Sequence, residues 1–177
     1  MPTRQTFTAG QVLTAAQMNT LQDYVGIVQI QSTTKSDTFT MAGETFTDVT
    51  GLSVTITPTS ASNKIFIVGF ITMMGENGVG TAWHRLMRGT TAIAIGDTAG
   101  TRPRVTGQAI LQGVASQTSV PFVFLDSPAT TSATTYKVQV RSDGGAGGDV
   151  FVNRNESDTD GTRARTISTI AVMEVTP

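Results

Sequence analysis

The sequence predicts an all-β fold, an antiparallel β-sandwich of jelly-roll type preceded by a short N-terminal α-helix. Three observations carry this. Short apolar runs recur along most of the 177 residues, separated by turn residues and without helical segments between them. One run alternates cleanly: Tyr136, Val138 and Val140 against Lys137, Gln139 and Arg141, the period of a half-buried strand. Thr and Ser make up 44 residues while only 14% are charged, and β-branched Thr suits a pleated, half-wet surface.

The helix comes first. Thr14 and Gln17 form a capping box, and Leu13 and Met18 stand where a hydrophobic staple needs them. Met18, Leu21 and Val25 then fall on one apolar stripe over about three turns. A helix this short is marginal alone in water, so the stripe needs a partner. Phe7 and Val12 bracket Ala9-Gly10 in a stretch with little reason to fold by itself. Residues 1–25 therefore read as a docking segment, with Phe7, Val12, Leu13, Met18, Leu21 and Val25 as its contacts, and residues 26–177 as the β body.

Strands are predicted over residues 27–34, 45–49, 52–57, 64–74, 82–88, 91–96, 106–112, 119–126, 134–142, 150–153 and 166–175. The run Lys64 to Met74 is almost wholly apolar, which in a strand means both faces covered. Turns are marked by residues 57–63, Gly75-Glu76-Asn77-Gly78, Asp126-Ser127-Pro128 and Asp143-Gly144-Gly145. The Gly-rich and acidic stretches 142–148 and 155–161 read as exposed loops at the ends of the sandwich. No tandem repeat points to a propeller or solenoid.

Composition narrows the function. Thirteen acids against twelve bases leave a net charge of -1, which steers the chain toward neither nucleic acid nor anionic lipid. Without cysteine there is no disulfide, thiolate site or cysteine nucleophile. The opening residues lack the apolar core of a signal peptide, and no apolar run approaches the roughly 18 residues that span a bilayer. The expectation is a soluble protein made and kept in a cytoplasm until released.

Enzyme chemistry finds few candidates. His84 is the single histidine, no Ser sits in a nucleophile-elbow pattern, and an ordinary strand or interface role is expected of it. A carboxylate pair hydrolysing a glycan is the minor alternative. Residues 156–161 resemble the first half of a calcium loop, but Ile167 stands where the bidentate Glu belongs, so a solvated acidic loop is expected and no metal or cofactor is called for. Trp83, beside His84 and Arg85, either fills the core or forms, with those two neighbours, a subunit or receptor contact.

The run from Phe7 to Leu21 (FTAGQVLTAAQMNTL) resembles an N-terminal segment of bacteriophage virion structural proteins of tail-fibre, minor-tail and capsid-decoration type. The body is similar to a module often joined to such segments. The matching pieces are Ile56 to Ile65, Met87 to Ile93 with Gly96-Asp97, Phe124 to Ala129, Tyr136 to Gln139, Asn153-Arg154 and Thr169 to Glu174. The resemblance implies a homotrimeric virion protein whose N-terminus grips other head or tail proteins while the β body faces outward, where it meets a host-surface receptor in the alternative reading. No shaft separates helix from body, so a short spike, tail-tip subunit or capsid decoration is expected rather than a long fibre.

Overall fold

The computed structural model describes residues 8–15, 26–75, 79–112, 117–143, 148–159 and 161–177. Eleven strands follow one another: β1 (Ile27–Lys35), β2 (Phe39–Ala42), β3 (Thr47–Ile56), β4 (Lys64–Gly75), β5 (Val79–Arg88), β6 (Thr91–Ile93), β7 (Gly107–Gln112), β8 (Thr118–Asp126), β9 (Thr134–Ser142), β10 (Asp149–Val152) and β11 (Ser168–Val175). They form two antiparallel sheets. In the first, β4 is flanked by β8 on one side and by β11 and β10 in succession on the other; β1 extends β11 and β2 extends β10. In the second, the order runs β3-β9-β5, with β6 and β7 sharing the far side of β5.

Counted as one interrupted strand each, β1/β2, β6/β7 and β10/β11 reduce the eleven to eight. First then pairs with eighth, second with seventh, third with sixth and fourth with fifth. That nesting is a long hairpin rolled upon itself, the jelly-roll arrangement.

Most strands lie where the apolar runs place them. Two differences have physical causes. The expected strands 45–49 and 52–57 are one continuous β3, because Gly51 takes a φ of 82° and absorbs the break as a register shift between Asp48 and Ser53. Strand β2 alternates over only four residues, with Phe39 and Met41 turned to the core, too short a run to mark a strand by itself; it forms because β10 offers it a free edge. The predicted helix rests on residues 16–25, which lie outside the described residues.

Inward-facing side chains of both sheets make one core. Ile65, Ile67 and Ile71 of β4 meet Leu52, Val54 and Ile56 of β3, Tyr136, Val138 and Val140 of β9, and Ile170 and Val172 of β11. Gly69 holds the inward position between Ile67 and Ile71. A Cβ there would lie 2.3 Å from the Thr169 carbonyl oxygen and 2.7 Å from the Phe122 ring. Gly69→Ala is therefore expected to destabilise by about 1–3 kcal/mol through overpacking, seen as a lower urea midpoint at unchanged slope; an unchanged midpoint would contradict this packing.

Candidate interaction surface

Trp83, His84 and Arg85 stand together in sequence and part company in the fold. Because β5 alternates, His84 points inward with Ala82 and Leu86, while Trp83 and Arg85 point out from the second sheet. Trp83 is half-buried on the outer face and so is not a core residue. His84 is completely buried, which removes it from any surface the trio was expected to form.

The outer face assembles around Trp83 and Arg85. The register sets Trp83 against Arg141 and Arg85 against Gln139. Phe46, just before β3, lies under the Arg85 guanidinium at 4.0 Å from the ring centre and under that of Arg141 at 5.5 Å; Arg141 in turn lies 4.9 Å from the Trp83 ring. Arg85 Nε donates to Gln139 Oε1 at 2.8 Å, Gln139 Nε2 donates to Asp48 Oδ1 at 2.6 Å, and Lys137 Nζ meets Asp48 Oδ2 at 2.6 Å. Burial, then the Arg141 charge, lowers the Arg85 pKa, with Asp48 opposing. Burial would raise the Asp48 carboxyl, but hydrogen bonds from Lys137 and Gln139 outweigh it and hold the pKa below the usual range. The result is a polar lattice with two half-buried aromatic rings between guanidinium groups, whose remaining free edges could stack on a flat ligand and pair with acidic groups. Phe46 and Arg141 were not singled out by sequence, because their neighbours on this face are cross-strand ones.

Three further clusters join pieces far apart in sequence. Asp126 accepts two bonds from Arg88 Nη1, at 2.8 and 3.0 Å, and one from Tyr136 Oη at 2.6 Å. Burial and that carboxylate push the Tyr136 hydroxyl far above its ordinary pKa, so it stays a donor. Glu174 accepts from Thr59 N, Thr59 Oγ1, Asn63 Nδ2 and Gln29 Nε2 at 2.6–2.8 Å. Asn153, in the left-handed region at φ 61°, donates to the carbonyls of Lys35 and Asp37 and accepts from Ser168 Oγ. Arg88, Asp126, Tyr136, Thr59, Asn63, Asn153 and Glu174 lie in the motifs that carried the resemblance; the Asp126 cluster ties β5, β8 and β9 together, and the other two fasten loops to strands. One signal for two of them was legible: Glu174 and Asp126 occupy the apolar phase of β11 and β8, where an acid needs dedicated partners.

The acidic loop is committed internally. Asp158 receives Arg165 Nε and Nη2 at 2.7 and 2.6 Å, with Arg154 Nη1 at 3.6 Å. Among the described residues no three His, Asp or Glu side chains gather as a metal site requires. A shallow depression of about 360 Å³ lies beside the β5–β6 turn, lined by Arg88, Gly89, Pro128 and three threonines. Of the expected docking residues, Val12 and Leu13 are exposed; Phe7, Met18, Leu21 and Val25 lie outside the described residues.

The chain is similar in fold to the PRD1 vertex protein P5. The TM-score is 0.50 at 10% identity, and the match covers 84% of this chain and 98% of that one. Structures of the Gx and Gt strains of infectious bursal disease virus match with a TM-score of 0.39 each, at 18% and 12% identity, and this chain spans only 37% and 40% of theirs. At such identities the likeness is one of fold. No protein-family profile and no curated protein sequence matches the chain.

Proposed function

We propose that this chain is a bacteriophage virion structural protein: a short spike or fibre, tail-tip or capsid-decoration subunit that docks through residues 1–25, works as a homotrimer and turns its sandwich outward without catalysis. The observation that carries this reading is the nested jelly roll, which a virus vertex protein shares over nearly its whole length. The motif residues add support, since Asp126, Glu174 and Asn153 serve rigidity and none faces a site where chemistry occurs. The only imidazole is sealed in the core, away from any substrate.

Deleting residues 1–25 is expected to abolish incorporation into particles while the body keeps its β-sheet circular dichroism. Truncated protein that still co-purifies with particles would overturn the docking reading. A receptor-binding role is the second reading, favoured by the half-buried Trp83, Phe46, Arg85 and Arg141 lattice on the outer face of the second sheet. Binding to an acidic host glycan that is lost on Trp83→Ala supports it, whereas an array with no bound glycan counts against it.

A further inference from the structure

The two outer faces of the sandwich differ in kind. The second sheet's face carries the ion-paired lattice just described. The first sheet's outer face is largely apolar, with hydroxyls at Ser32, Thr34, Thr169 and Ser119. Cross-strand register aligns Ile30, Met173, Phe66 and Leu125 in one row and places Val68 beside Val123 in the next. Among the described outward residues of β1, β11, β4 and β8, Lys64, at the end of its strand, is the single charge. Ile30 is 55% exposed, Val123 63% and Leu125 48%.

Among the described residues, only part of this sheet is shielded. Toward β10, Met74 and Phe151 are buried and Arg154 lies 4.5 Å over the Phe151 ring. The stretch from Lys64 to Phe70 has no such cover among the described residues, although its continuous apolar sequence is that of a strand buried on both faces. Four strands about 4.8 Å apart, over the uncovered length at about 3.4 Å per residue, present roughly 500 Å². That is at the upper end of what a monomer leaves bare and over half of the ~800 Å² each partner gives to a standard interface.

We infer that this face packs against further copies of the same chain, closing a homotrimer with the first sheets turned toward the axis. Charge favours a copy as occupant: a face without acids and with one peripheral lysine meets itself without repulsion, whereas it offers a charged partner nothing to pair with. Width favours three. Sheets about 19 Å wide, set as the sides of a triangle, lie about 5–6 Å from its axis, half the ~10 Å at which packed sheets fill the space between them. The polar lattice of the second sheet then forms the outside of the trimer. This names the self-contact within the proposed assembly, and rests on that reading for its setting alone.

Sedimentation of the full chain at micromolar concentration tests it. The wild type is expected as a trimer, and Val123→Glu with Leu125→Glu as a folded monomer, while Thr55→Glu on the opposite face stays trimeric. Because the chain has no cysteine, Val123→Cys supplies a second measurement that needs no disruption. Its thiol is expected to react with a maleimide at least tenfold more slowly than that of Thr55→Cys, despite its exposure on a lone subunit. A monomeric wild type, an assembled double variant or a freely reactive Val123→Cys thiol each overturns the inference. A monomer that still enters particles leaves the virion reading standing and removes this one.

Discussion

Replacing Glu174 by alanine is expected to lower the stability of the body by about 2–4 kcal/mol, because buried neutral donors left without their acceptor cost about 1–3 kcal/mol each. The side chain is fully buried near the end of β11. Its loss strands the Thr59 N–H and hydroxyl and leaves the Asn63 amide only a long bond to Thr59 Oγ1 at 3.3 Å, while the Gln29 amide keeps the Thr57 carbonyl at 2.7 Å. Thr59 and Asn63 belong to the loop between β3 and β4, which crosses from one sheet to the other, so the change loosens the joint between the layers. Urea unfolding followed through the single tryptophan measures it. A loss below 1 kcal/mol would show that the loop is held by something else. Burial alone would raise the Glu174 pKa, but the four hydrogen bonds outweigh it and hold it at about 2, against an ordinary 4.5. The stabilisation is therefore complete above pH 4.5 and drains away as pH falls toward 2.

The second large effect belongs to His84 and occupies a different pH window. Burial lowers its pKa from 6.5 to about 4. Both ring nitrogens lack a hydrogen-bond partner, the Phe122 ring stands 5.9 Å away, and a Cβ on Gly107 would touch the imidazole at 2.6 Å. Nothing there solvates an imidazolium. Between pH 6.5 and 4 the unfolded chain binds the extra proton and the folded one does not, so stability falls with falling pH, by ~3 kcal/mol in all. His84→Leu is expected to flatten that slope and to leave stability at pH 7 unchanged or higher, since two orphaned polar atoms disappear. A slope that survives the substitution would place the titration elsewhere.

The body's architecture was largely legible because its signals are local: runs, alternation and turn residues mark ten of the eleven strands. What escaped was set by distance in sequence. Strand β2 exists only as the partner of β10, and Phe46 and Arg141 matter only because Trp83 and Arg85 arrive beside them. His84 was grouped with its neighbours by adjacency, although the alternation of β5 already assigned it to the opposite face. The buried clusters lie between these cases. Their residues were visible as recurring pieces, but their pairing, such as Asn63 with Glu174 across 111 positions, needs the rolled hairpin to bring them together.

That rolled hairpin has a consequence for synthesis. The strand made last in the sandwich, β11, lies between β1 and β4, and bonds to both along nearly its whole length. Until the ribosome has released it, the first sheet is split, β1 has no neighbour in it, and the Glu174 cluster lacks its acceptor. Contacts this distant in sequence form slowly. The body therefore completes its fold only once β11 has emerged, and a chain stopped short of it carries a split first sheet.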